Sequence, residues 1–181
     1  MNKILRLALV LFLVSAVVAG VLGVVNELTY PVIDAQKQAK TAAAFASIMA
    51  AERFDEIEFA DPDFPTVQTV HAADGGDTGY VVTSIFSGAQ GNITLAVGVN
   101  NDYKCTGISV IEHSETSGLG ANAASTGQVG IDFRAQFVGQ DEGIALSNAG
   151  GSIDALTGAT ITSRAITEAV ATSIRAVKSL G

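Results

Sequence analysis

Three hydroxyls crowd one short stretch of this chain. Thr157, Thr160 and Thr162 lie in Asp154-Ala155-Leu156-Thr157-Gly158-Ala159-Thr160-Ile161-Thr162, just ahead of a helical pattern. Gly158 and Ala159 leave the backbone beside them open. A loop that runs into a helix N-terminus presents free N–H groups and the positive end of the dipole, so it suits an anion such as phosphate. The same residues read also as a plain cap, with Thr160 or Thr162 closing the first turn. No Gly-Lys-Ser/Thr is present, so this is not a nucleotide P-loop.

A second stretch carries polar chemistry. Glu112-His113-Ser114-Glu115-Thr116-Ser117-Gly118-Leu119-Gly120 reads either as a solvated glycine loop or as the wall of a site. Elsewhere the reactive inventory is thin. One cysteine, Cys105, excludes an intrachain disulfide, a CxxC haem site and a cysteine-ligated iron–sulfur cluster. Its plain reading is a small buried hydrophobe on a strand. Two histidines, His71 and His113, leave little for a zinc site, and no metal site is expected. Redox chemistry here requires an organic cofactor. The net charge is −8, and the basic Lys3 and Arg6 precede every acid, so the rest of the chain is more acidic still. Such a surface excludes nucleic acid, whose phosphates need Lys and Arg.

The elements that must position these residues follow from the pattern. Leu7 to Val25 is uncharged and almost wholly apolar, long enough to span a hydrocarbon core of roughly 30 Å as a helix. Lys3 and Arg6 precede it and the next basic residue is Lys37, which puts the N-terminus in the cytoplasm and the bulk outside. A cleaved signal peptide competes, since Ala19-Gly20 partly fits a cleavage site, but the run exceeds the usual apolar length of about 7–15 residues. Residues 26–34 form a juncture broken by Pro31, and 35–53, rich in Ala, read as a helix. A turn follows at 60–65. Thr66–His71, Gly79–Phe86, Ile93–Val99 and Thr106–Ile111 read as strands of successive antiparallel hairpins, with Asp74–Asp77 and Asn101-Asp102 as turns. Residues 131–142 are short and mixed. From Thr162 onward Ile166, Val170, Ile174 and Val177 form one apolar stripe, which predicts a C-terminal helix ended by Gly181. The fold class is α+β: an N-terminal transmembrane helix, then a single domain with an antiparallel sheet and flanking helices. The boundaries are 1–25 for the anchor, 26–60 for a helical stalk and 61–181 for the domain.

The two chemical stretches together resemble a known pattern. Asp154, Thr157, Gly158-Ala159-Thr160 and Thr162 are similar to the flavinylation motif of the covalent-FMN domains in the RnfG and NqrC subunits of membrane redox pumps. His113 to Gly120 resembles that family's His-x-Glu-Thr-Pro-Gly-Leu-Gly signature, departing at Ser117 where proline is usual. The resemblance implies FMN joined by a phosphoester to Thr162, with Asp154, Gly158, Ala159 and Thr160 read by a magnesium-dependent flavin transferase. It also implies that Glu115, Thr116, Gly118 and Leu119 lie against the isoalloxazine, and it touches Phe133 and Phe137 more weakly. The chain length favours RnfG. The function implied is electron relay, as a redox carrier subunit, within an Rnf-type ferredoxin:NAD oxidoreductase in the inner membrane, alongside its other subunits. The alternatives are an NqrC-like subunit, a free-standing FMN carrier for another reductase, and an exported binding module without flavin.

Overall fold

The structure, a computed structural model, describes residues 2–180; the expected helix stop at Gly181 lies outside them. The chain divides into two compact units, Met1–Lys40 and Thr41–Gly181. The first helix, α1, spans Lys3–Ile48, so most of it belongs to the first unit and its last turns to the second. Between Leu7 and Val25 the side chains are exposed and almost wholly apolar, and the helix is long and apolar enough to cross a membrane.

The expected break at Pro31 does not occur, because α1 runs through it. Proline removes one i→i−4 bond, and the helix continues past it on both sides. The expected helix over 35–53 ends sooner, at Ile48. The cause is Asp74: its Oδ1 accepts the N–H groups of both Glu52 and Arg53 at 3.0 Å, and its own N–H donates to the Arg53 carbonyl at 2.9 Å. Those amides, so held, leave the helix and lead into a strand that no local pattern announces, β1 (Phe54–Ile57).

Four further strands follow in a meander: β2 (Val67–Ala73), β3 (Gly79–Ser87), β4 (Asn92–Val99) and β5 (Cys105–His113). Each pairs antiparallel with its neighbour, in the order β1-β2-β3-β4-β5. The turn between β4 and β5 differs in detail from the Asn101-Asp102 pair. Asn100 Oδ1 accepts the N–H groups of Asp102 (3.1 Å) and Lys104 (2.8 Å), and the positive φ falls on Tyr103, at 57°. An asparagine side chain bonding the backbone two residues on is a strong local turn builder.

Alternation along the strands gives the sheet two apolar faces. On one, Val70, Val82, Leu95, Val97 and Ile108 pack under the C-terminal helix, α3 (Thr160–Ser179), through Ile166, Val170, Ile174 and Val177. The predicted stripe is therefore the buried face. On the other, Ala73, Val81 and Ala96 meet Ala44, Phe45, Ile48 and Met49 from the end of α1 and just beyond it. Phe45 stands edge-on to Phe54 (5.4 Å between centroids) and to His71 (4.9 Å). Cys105 is a buried free thiol on β5, as its plain reading holds. A short helix, α2 (Gln128–Ala135), occupies the mixed segment, and its Phe133 meets Phe137 edge-on in the core.

Candidate functional site

The start of α3 is not capped by a threonine. Ala159 is the capping residue and makes no side-chain bond there. The first turn is secured instead by Ser163, whose hydroxyl donates to the Ala159 carbonyl (2.9 Å) and accepts the Leu156 N–H (3.0 Å). The plain-cap reading of Thr160 and Thr162 therefore fails, and Thr162 is free for another partner.

That partner is Glu115. Thr162 Oγ1 donates to Glu115 Oε2 at 2.6 Å, in a buried pair. The other carboxylate oxygen, Oε1, accepts the N–H groups of Ala89 (2.8 Å) and Gln90 (3.1 Å) in the turn between β3 and β4. Three segments far apart in sequence thus converge on one carboxylate. Two glycines make the room. A Cβ on Gly88 would collide with Glu115 Oε1, and one on Gly120 would collide with Glu115 Oε2 and stand 2.6 Å from Thr162 Oγ1.

The loop after β5 is tied into this arrangement. His113 Nδ1 accepts the Glu115 N–H at 3.2 Å, a structural role. Leu119 and Ala121 both donate their N–H groups to the Thr116 carbonyl at 3.2 Å. Arg134 from α2 donates to the carbonyls of Ala123 (2.6 Å) and Ser125 (2.9 Å), fixing the far end.

A cleft of about 340 Å³ opens over the pair, within the size range of small-molecule sites. Of the residues expected from sequence, Thr162, Thr160, Ala159, Gly158, Glu115, Thr116 and Leu119 line it. Asp154, Thr157 and Gly118 do not. Asp154 is exposed and its backbone is held by the Gln136 side chain (2.7 and 3.3 Å); Thr157 is exposed; Gly118 takes a φ of 78° in the loop. Phe133 and Phe137 are core residues and stand outside the cleft. Sequence reasoning missed Ala89, Gln90, Gly120 and Ile161, which complete the lining. The glycines of Gly88-Ala89-Gln90-Gly91 were the signal there, though they read only as a hairpin turn.

Two features make this cleft fit a flavin mononucleotide. Leu119 and Ile161, both large and apolar, line it while 44% and 61% exposed, so a flat ring lying there would cover them. The first amides of α3 lack partners within the helix and can face a phosphate. Against this, neither Lys nor Arg lines the cleft among the described residues, and its one charge is the Glu115 carboxylate. The anion's attraction within this lining comes from the helix end.

The chain is similar to several known proteins. Residues 88–175 match the FMN-binding domain, and residues 1–48 match the RnfG N-terminal region. The G subunit of the ion-translocating oxidoreductase complex of Methanosarcina acetivorans is 34% identical over 96% of this chain and 94% of its own. The G subunit of the Na(+)-translocating ferredoxin:NAD(+) oxidoreductase complex of Acetobacterium woodii is 30% identical over 98% and 93%. Among solved structures, the C subunit of the Na(+)-translocating NADH-quinone reductase of Parabacteroides distasonis matches with a TM-score of 0.45 and 24% identity, covering 61% of this chain and 59% of that one. With an apolar helix able to span a membrane in front of an FMN-binding domain, the chain belongs to the RnfG family, the G subunits of ion-translocating oxidoreductase complexes.

Proposed function

We propose that this chain is the single-pass, membrane-anchored electron-transfer subunit of an Rnf-type ferredoxin:NAD oxidoreductase, and that it carries FMN through a phosphoester to Thr162. The observation that carries the reading is the Thr162 hydroxyl itself. It sits at the N-terminus of α3, lines the cleft and is not used as a cap. The cleft's charge argues for the covalent bond. With one carboxylate and, among the described residues, no basic side chain in the lining, a freely exchanging phosphate would be held weakly; an ester needs no cation to retain it.

When bound, FMN supplies one- and two-electron transfer. The chain's residues do the rest. Leu119 and Ile161 offer apolar surface to a ring, and the start of α3 offers amides to a phosphate. Lys3 and Arg6 before the apolar run favour an extracytoplasmic side for the domain. A tethered cofactor is not lost from that side. The partners are the other subunits of the complex, and a flavin transferase is needed for maturation. Among the relatives, one belongs to a complex named as sodium-translocating, and another, from Clostridium ljungdahlii, to one named as proton-translocating.

The test is a mass. The full chain, made with a flavin transferase and then denatured, gains one FMN less one water on the peptide that holds Thr162. An unmodified mass beside a working transferase control overturns the proposal.

A further inference from the structure

We propose that Glu115 is the proton acceptor in the reaction that esterifies Thr162, an inference that rests on Thr162 being the flavin acceptor. The hydroxyl already points its proton at Glu115 Oε2, 2.6 Å away. Oε1 is fixed by two backbone amides, so the carboxylate has one oxygen committed and the other aimed at the hydroxyl. Gly88 and Gly120 flank the group, and it has room there because neither carries a Cβ, which would collide with Oε1 and Oε2 respectively. Among the described residues lining the cleft, Glu115 bears the only carboxylate, and no His, Lys, Arg or Cys side chain stands beside it.

The step balances as a phosphoryl transfer. Thr162 Oγ1 attacks the flavin-side phosphorus of FAD. The Oγ1–P bond forms, and the P–O bond to the adenylate half breaks, releasing AMP. The Oγ1 proton passes to Glu115 Oε2 and then to water. No electrons are exchanged. A neutral hydroxyl is a weak nucleophile, and a positioned base contributes about 10²–10⁴ in rate.

The experiment uses the full chain in detergent with FAD, magnesium and a flavin transferase, and follows the initial rate of mass gain. Glu115→Gln keeps the shape and the oxygen that accepts from Ala89 and Gln90, but puts an amide where the base was. The expected result is a rate lower by about a hundredfold or more, with the circular dichroism of the unmodified chain retained. If Glu115 served only to hold the loop, its loss would loosen Thr162 and leave the rate equal or faster; either outcome overturns the proposal. Should Glu115→Gln not fold, the wild type decides. In chain labelled with ¹³C-glutamate, a carboxylate resonance must move when FMN is attached, because Oγ1 then has no proton to donate; a spectrum without any such movement overturns the proposal. The acceptor reading fails separately, through a wild type without adduct or an adduct that survives Thr162→Ala.

Discussion

Gly120 lies so close to Thr162 that a methyl group on its Cα would stand 2.6 Å from the threonine hydroxyl oxygen. The same methyl would collide with Glu115 Oε2. Gly120→Ala must therefore separate the pair or shift the loop. Overpacking of this kind costs about 1–3 kcal/mol. The expected outcome is lower urea stability together with a lower yield of covalent FMN. Wild-type flavin yield in this variant would mean that the pair is not needed for attachment.

Thr162→Val tests the pair in the unmodified chain. Valine keeps the volume but removes the donor, so a buried carboxylate oxygen loses its partner. The expected destabilisation is about 1–3 kcal/mol in urea, read by tyrosine fluorescence. A stability equal to that of the wild type would show that Oε2 finds water in the cleft instead.

Cys105 provides a chemical control. It is 1% exposed, and burial pushes its thiol up to about 12, well above the usual range. At pH 8 the folded protein is expected to resist maleimide, while the same protein in concentrated urea takes up one equivalent. Rapid labelling without urea would show that β5 opens readily.

Phe45 joins the end of α1 to the sheet. Phe45→Ala removes its edge contacts with Phe54 and His71 and leaves a cavity, which costs about 3–5 kcal/mol. Urea melts should show this loss. A loss under about 1 kcal/mol would mean that the sheet face closes without the helix.

His71 gives that same face a pH dependence. Burial lowers its pKa below 6.5, partly opposed by Glu56 on the neighbouring strand. The folded state then binds the proton less well than the unfolded chain. Its contribution to stability is fully present above about pH 6.5 and is lost as pH falls towards the depressed value. Urea midpoints between pH 7.5 and 5 should fall in the wild type and flatten in His71→Phe.

What the sequence made legible was whatever has a short period or a short motif. The stripe Ile166, Val170, Ile174 and Val177 is the buried face of α3, and the β-branched runs are the strands. Local pattern failed where a distant side chain decided the outcome. Asp74 ends α1 and makes β1 from 21 and 22 residues away. Likewise, the motif marks Thr162 and Glu115 separately, but their hydrogen bond spans 47 residues and depends on the β3–β4 turn. Gly88 and Gly120 look like flexible loop residues in sequence; in the fold they are places where another side chain needs the volume.

Thr162 is only 1% exposed. With Thr162 as the proposed flavin acceptor, that burial bears on the timing of maturation. On the proposed function, a transferase reaches this hydroxyl once segment 116–120 swings out, while Glu115 stays moored to the amides of Ala89 and Gln90. Such local openings require less free energy than global unfolding. The speed of modification then reports an equilibrium between closed and open loop. Cold, stabilising osmolytes or a tighter loop should slow maturation even as they protect the fold, and a chain caught early in folding should be the better substrate.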